Sequence, residues 1–275
     1  MKNSKWWDIS YNPVTGCTPV SIGCEKCYAK RLAGRFPRIH GEGYFYDVQY
    51  HSDRLNIPFH WRKPKRIFVC SMGDLFHPDV SFKFIDRVFS IAFLCPQHTF
   101  MILTKRADRM MEYIISRPID TMKKEQRIIT TEIGDMTYSV QWPLPNLWLG
   151  VTIENQDNDW RIPILLQTPA AKRFVSVEPM LGWVNLFQVP ILNGFGYGFV
   201  NSITGIPPVF NDICENIPHL DQVICGPETG PGARPMNLDW ARSLRDQCVA
   251  AGVPFFYKRG ELDGQLWHQF PKGRL

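Results

Sequence analysis

Seven short runs rich in β-branched and aromatic residues recur along the 275 residues, and most lead into a stretch with helical spacing. They fall at 11–15, 66–71, 99–104, 147–153, 172–177, 222–225 and 253–257. Between them the apolar spacing predicts helices over 24–34, 82–94, 107–116, 156–167 and 238–251. The last is the clearest: Asn237 can cap its start, Leu238, Ala241, Leu244, Cys248 and Val249 approximate an apolar stripe, and Gly252 follows its end. Buried strands alternating with amphipathic helices dictate a parallel sheet covered by helices. The expectation is α/β: one domain spanning 1–275, a full or partial (β/α) barrel with long insertions near 36–65, 117–146 and 186–220. At 44% hydrophobic residues the chain can bury a complete core.

The N-terminus, Met-Lys-Asn-Ser-Lys-Trp-Trp-Asp, lacks the apolar stretch of a secretory signal. The longest apolar runs are too short to span a bilayer. A cytoplasmic protein with no membrane partner is expected. In that compartment eight cysteines do not make a disulfide framework, so clustered ones point to metal and scattered ones to core packing. The formal charge of +5 is compatible with a phosphorylated or nucleic-acid substrate without requiring one.

The clustered cysteines lie in Gly16-Cys17-Thr18-Pro19-Val20-Ser21-Ile22-Gly23-Cys24-Glu25-Lys26-Cys27-Tyr28-Ala29, a C-x6-C-x2-C array between the first strand and the first helix. Thiolates are soft ligands suited to zinc, Cu(I) or iron–sulfur clusters. Structural zinc closes its tetrahedron with a fourth Cys or His, commonly from a second pair. No second C-x2-C exists, and His40 and His51 lack paired spacing. Three thiols without that partner fit a cubane cluster with one iron open to a small molecule. Zinc, or thiols with no metal role, are the alternatives. Cys70 and Cys225 sit inside apolar runs and read as core; Cys95, Cys214 and Cys248 read as core or loop.

Parallel α/β folds carry their chemistry at the carboxyl ends of the strands. Those ends here bear Ser71 and Asp74, Lys105, Glu154, Glu178, Glu228 and Lys258. Six charged groups could therefore face one cavity, or each strand could simply turn polar where it meets water. Gly226, Gly230 and Gly232 permit close backbone approach to a ligand, and Arg234 offers an anion contact or a surface charge. Trp6, Trp7 and Trp61 lie among Lys5, Arg62, Lys63, Lys65 and Arg66. That interleaving suits base stacking, with core packing as the rival reading.

A closer likeness emerges from the segments Tyr11-Asn12-Pro13-Val14-Thr15-Gly16-Cys17, Gly23-Cys24-Glu25-Lys26-Cys27-Tyr28-Ala29 and Cys70-Ser71-Met72-Gly73-Asp74-Leu75-Phe76-His77. Leu103-Thr104-Lys105-Arg106, Gly150-Val151-Thr152-Ile153-Glu154-Asn155-Gln156, Ser176-Val177-Glu178-Pro179 and Gly226-Pro227-Glu228-Thr229-Gly230-Pro231-Gly232 extend it over nearly the whole chain. Together they resemble a family carried by bacteriophages and mobile elements, marked by three cysteines and itself similar to the radical S-adenosylmethionine superfamily. The superfamily's commonest spacing is C-x3-C-x2-C; here the first interval is longer. The resemblance implies a barrel of the radical S-adenosylmethionine type, with a [4Fe-4S] cluster on Cys17, Cys24 and Cys27. It also implies a 5′-deoxyadenosyl radical made from S-adenosyl-L-methionine, and an electron donor such as flavodoxin or ferredoxin.

By the same resemblance Tyr28 lies beside the adenine, with core packing as its rival role. Ser71 and Asp74 stand where the superfamily's Gly-Gly-Glu meets the methionine amino group. Glu154 accepts from ribose hydroxyls, and Lys105 meets the methionine carboxylate or a substrate phosphate. Glu178 and Glu228 serve substrate binding or proton transfer. Helix capping is the alternative role for Asp74 and Glu154. The expected function is radical chemistry on a nucleotide, a nucleic acid or a small molecule; the competing one is a zinc-stabilised nucleic-acid-binding module without catalysis.

Overall fold

The parallel strands align in the order in which the chain supplies them. In the computed structural model, which describes residues 5–41, 43–116, 141–193, 196–205 and 218–272, β1 (Ile9–Tyr11), β4 (Arg66–Val69), β5 (Thr99–Thr104), β6 (Leu147–Ile153), β7 (Lys172–Val177), β10 (Gln222–Cys225) and β11 (Phe255–Leu262) lie side by side. All neighbouring pairs among these are parallel, and β12 (Gln265–His268) adds antiparallel to β11 at the edge. The eight-stranded sheet is curled and open, a half-barrel in a mixed α/β fold. The partial form of the expected barrel is the one observed.

Alternation along each strand divides the sheet's two faces. Ile67, Val69, Phe100, Ile102, Leu149, Val151, Val175, Val177, Val223 and Phe255 join the large core beneath α3 (Phe82–Leu94), α4 (Ala107–Ser116), α5 (Arg161–Gln167) and α6 (Leu238–Ala251). The residues between them, Phe68, Met101, Trp148, Phe174, Ile224 and Phe256, form a separate cluster with Trp6. The ring of Trp6 touches both Phe68 on β4, at 4.7 Å, and Phe174 on β7, at 5.5 Å. Those strands are three places apart, about 14 Å along a flat sheet at roughly 4.8 Å per strand. One indole reaches both because the sheet curls around it. Trp6, 1% exposed, is therefore a plug inside the half-barrel and not a stacking platform. Gly150 of β6 completes the fit: a Cβ there would stand 2.5 Å from the Phe174 ring.

The insertions hold more structure than their composition suggests. Residues 36–65 contain α2 (Pro37–His40) and β3 (Gln49–Tyr50), which pairs antiparallel with β2 (Val14–Thr15). Within 186–220, β8 (Val189–Asn193) and β9 (Gly196–Val200) make an antiparallel hairpin. Most of the 117–146 insertion, and Cys214, lie outside the described residues. Among the described residues no helix is long and apolar enough to cross a membrane.

The close approach at Gly150 yields a test. Gly150→Ala is expected to lower unfolding free energy by about 1–3 kcal/mol through overpacking. Adding Phe174→Leu should recover part of it, as read from urea titrations.

Candidate functional site

The three cysteines lie over the carboxyl ends of the strands. The stretch after β2 is clamped at its start: Gly16 N donates to Met72 O at 3.0 Å and Cys17 N to Phe45 O at 3.1 Å. A 3-10 turn over Ile22–Cys24 follows. Cys27 is extended, with ψ of 122°, so α1 (Tyr28–Arg35) begins after it and not at Cys24. All three thiols are half-buried, whereas Cys70, Cys95, Cys225 and Cys248 are buried in the core. Among the described residues no three His, Cys, Asp or Glu side chains gather closely enough to hold a single metal ion.

Beneath this loop lies a tier of buried charge. Asp74, after β4, accepts from Thr104 Oγ1 at 2.8 and 2.9 Å, from Phe76 N at 3.0 Å and from Arg106 Nη1 at 3.0 Å. The same Arg106 Nη1 lies 3.3 Å from Cys17 Sγ, while Nη2 donates to Thr18 O at 2.9 Å and Thr18 Oγ1 at 3.0 Å. His77 Nδ1 accepts from Asp79 N at 3.2 Å, which leaves the Nε2 proton for Thr18 Oγ1 at 2.8 Å. Glu154, after β6, is wholly buried. It accepts from Lys105 Nζ, from Ser21 Oγ at 2.5 Å and from Arg161 Nη1 at 3.1 Å. Lys105 Nζ also donates to Ser21 Oγ at 3.1 Å. Gly23 lets the loop settle on this pair, since a Cβ there would stand 2.5 Å from Glu154 Oε1.

The remaining polar strand ends are paired as well. Glu178 accepts from Lys258 Nζ, whose charge also lies 5.2 Å above the Trp7 ring. Glu228 accepts from Arg234 Nε at 3.1 Å, Nη2 at 2.6 Å and the Arg234 N–H at 2.8 Å. Arg234 continues to Glu25 at 3.1 Å and to Ile22 O at 2.9 Å. It ties the β10–α6 loop down on the cysteine loop. Ser71 Oγ donates to Asn12 Oδ1 at 3.2 Å, and the Tyr28 phenol, 40% exposed, donates to Ser71 O at 2.6 Å. The six charged residues expected to face one space are thus sorted into separate pairs, two of them made between members of the set: Lys105 with Glu154 and Glu178 with Lys258.

Cys17 and Cys24 differ electrically. Burial, with the charge of Asp74, pushes the Cys17 thiol up to about 12 against the pull of Arg106. Burial also opposes ionisation of Cys24, but the Lys105 ammonium and the contacts at Val20 and Ser21 carry its pKa below the ordinary thiol value. For Glu228, burial is outweighed by the Arg234 guanidinium, which holds the carboxyl below its usual range.

The family model described as protein of unknown function (DUF5131) matches residues 2–271, nearly the whole chain. The chain belongs to the DUF5131 family. No curated protein and no solved structure matches it. In this DUF5131 chain, sequence reasoning singled out Cys17, Asp74, Lys105 and Glu154 but missed the groups that hold them. Arg106 stands beside Lys105 directly after a strand, which was a readable signal. Arg161 lies seven residues beyond Glu154, and Ser21 and Thr18 were spacer positions of the cysteine array; nothing in the sequence marks their contacts.

The Asp74–Arg106 pair predicts a stability effect in this DUF5131 protein. Both side chains are less than a tenth exposed, so Arg106→Met strands a buried carboxylate and is expected to cost about 3–5 kcal/mol. Asp74→Asn in the same chain should restore part of the loss, because the amide oxygen still accepts from Phe76 and Thr104. Chemical denaturation of the single and double variants reads both effects.

Proposed function

We propose that this protein is a radical S-adenosylmethionine enzyme that holds a [4Fe-4S] cluster on Cys17, Cys24 and Cys27 at the mouth of its half-barrel. The observation that carries the reading is the placement of three half-buried thiols on one loop over the strand ends, with Arg106 3.3 Å from Cys17 and Lys105 acting on Cys24. Three thiolates and an electron-rich cluster need nearby cations and N–H donors, and the loop is supplied with both. Among the described residues the other cysteines, Cys70, Cys95, Cys225 and Cys248, are buried in the core, and the three loop thiols alone are half-buried.

When bound, the cluster would supply one electron to S-adenosylmethionine, releasing methionine and a 5′-deoxyadenosyl radical. The chain's own work is to hold and shield that chemistry. Tyr28 and Ser71, joined by a hydrogen bond beside the array, would meet the adenosine and methionine moieties. Asp74 and Glu154 act through the cations they hold, fixing Arg106 against Cys17 and Lys105 against Ser21. Glu178 with Lys258, each side chain about a fifth exposed, offers a carboxylate–ammonium pair for substrate binding or proton transfer. Glu228 fixes Arg234 over the loop. Ser176, two residues beyond Phe174 on the inner face of β7, keeps a buried hydroxyl with no partner among the described residues. It is a polar atom for a bound molecule to meet. A flavodoxin or ferredoxin would supply the electron.

Anaerobic reconstitution tests the reading. The wild-type protein should bind about four iron and four sulfide and become brown. Cys17→Ala, Cys24→Ala and Cys27→Ala should each lose the cluster, while Cys70→Ala and Cys225→Ala keep it. After dithionite reduction, chromatography should show S-adenosylmethionine cleaved to methionine and 5′-deoxyadenosine, slowly even without substrate. A colourless protein carrying one zinc ion would instead establish the structural module. An intact cluster with no cleavage would exclude the deoxyadenosyl chemistry.

A further inference from the structure

Two of the three tryptophans suggested for base stacking are taken up by packing: Trp6 plugs the half-barrel, and Trp61 packs against the main core and His98, while half-buried Trp7 lies against Trp6 and Phe68. The same combination of residue types occurs elsewhere, exposed, on the segment that follows the cysteine array. From Lys26 to Tyr46 the described residues carry five cations, Lys26, Lys30, Arg31, Arg35 and Arg38, all exposed, and no carboxylate. Glu42 lies outside the described residues. None of the five forms an ion pair with a described acid. Among the described residues Lys26 donates to the carbonyl of Gly232 and Arg31 to that of Thr229. Elsewhere some cations are paired with acids: Arg66 with Asp8, Lys172 with Asp221, and Arg242 and Arg245 with Asp263. Of the acids that flank the span, Glu25 is taken by Arg234 at 3.1 Å, and Asp47 accepts from the Tyr44 N–H at 3.2 Å.

Rings stand among these charges. Tyr44 is 82% exposed, Phe36 47% and Tyr46 41%. So exposed a ring as Tyr44 buries little within its own chain, and the fold gives it no reason to be aromatic. Lys30 lies 4.6 Å from the Tyr46 centroid and Arg35 5.2 Å from that of Phe36. The platform is also anchored from below. Ala29, Ala33 and Met72 form a buried cluster against which Cys27, Leu32, Ile39 and Phe45 pack. Buried His40 joins Thr15 Oγ1 at 3.0 Å to Tyr44 O at 3.0 Å. Flat π-faces spaced among exposed cations match the alternation of base and phosphate in a single strand. A duplex keeps its base faces stacked away from such rings.

We propose that this surface, formed by α1, α2 and residues 43–46, binds single-stranded nucleic acid. It adjoins the mouth: Tyr28 reaches Ser71 after β4, and Arg31 reaches Thr229 after β10. A strand lying along α1 therefore presents a nucleotide to the cysteine loop. That last step rests on the radical reading above; the binding itself does not.

Fluorescence anisotropy with a labelled 12-nucleotide single strand, as DNA and as RNA, tests the proposal on the full chain both as purified and after reconstitution. Binding should weaken with salt, each neutralised phosphate contributing a slope of about −0.7 in log K against log salt. The triple variant Lys30→Glu, Arg35→Glu, Arg38→Glu should flatten that slope and weaken binding at least about tenfold. Tyr44→Ala, which removes no charge, should weaken it about fivefold or more at unchanged slope, as loss of a stacked base requires. Unchanged melting temperatures confirm that the variants are folded. Inorganic polyphosphate, polyglutamate and the matched duplex serve as competitors. Absence of binding, indifference to Tyr44→Ala, or equal competition by polyphosphate or the duplex overturns the proposal, and stronger competition by polyglutamate reassigns the surface to an acidic protein partner. Binding by iron-free protein stands even if no cluster can be assembled. A loaded protein that cleaves S-adenosylmethionine but ignores the strand refutes this inference alone.

Discussion

Two carboxylates buried beneath the cysteine loop, Asp74 and Glu154, set the terms for the rest of the site. A buried charge is tolerated only where a partner and hydrogen bonds surround it, so each has drawn cations around it: Arg106 to Asp74, Lys105 and Arg161 to Glu154. These cations are long enough to do a second job. Arg106 spends its remaining N–H groups on Cys17 and Thr18, and Lys105 reaches Ser21. The cysteine loop has little apolar surface of its own, with Val20 and Ile22 exposed. Its position is therefore dictated by the ionic tier below and by Arg234 above. The half-barrel supplies the tier because β4, β5 and β6 are neighbours, so residues just past their ends fall within reach of one another.

On the proposed reading the same tier serves the cluster. A thiol held near 12 keeps its proton at neutral pH, and metal binding must remove it. Arg106 then faces two anions, Asp74 and the Cys17 thiolate, and gains attraction from the second without losing the first. Cys24 starts from the other side, its ionisation already favoured by Lys105. The exposed cations of α1 stand outside this tier, on the surface proposed to take a polyanion.

Much of the scaffold was legible because buried strands and amphipathic helices have unmistakable periods. The helices at Phe82–Leu94, Ala107–Ser116 and Leu238–Ala251 fall where the apolar spacing put them. The predicted 11–15 strand divides into β1 and β2, because Pro13 has no N–H to give and the Asn12 side chain is taken by Ser71 and Met72. The predicted helix over 156–167 is a 3-10 turn followed by α5 from Arg161, with Pro163 in the first helical turn, where it is tolerated. The β11–β12 hairpin was readable: Asp263 and Gly264 both take positive φ, the two-residue turn that Asp-Gly favours. In β8–β9 alternating glycines hid the pattern. The site was legible as a list of charged strand ends but not as pairs. Which carboxylate takes which cation depends on the curl of the sheet, and no local spacing encodes it.

The most direct test of the central claim is electron paramagnetic resonance of the reconstituted, dithionite-reduced protein, recorded before and after S-adenosylmethionine is added. An open iron in a three-cysteine cluster gives an S = 1/2 signal whose g-values shift when the amino acid moiety of the cofactor binds that iron. A reduced cluster signal that is unchanged by S-adenosylmethionine, or a folded protein that takes up zinc and gives no such signal, would contradict the account.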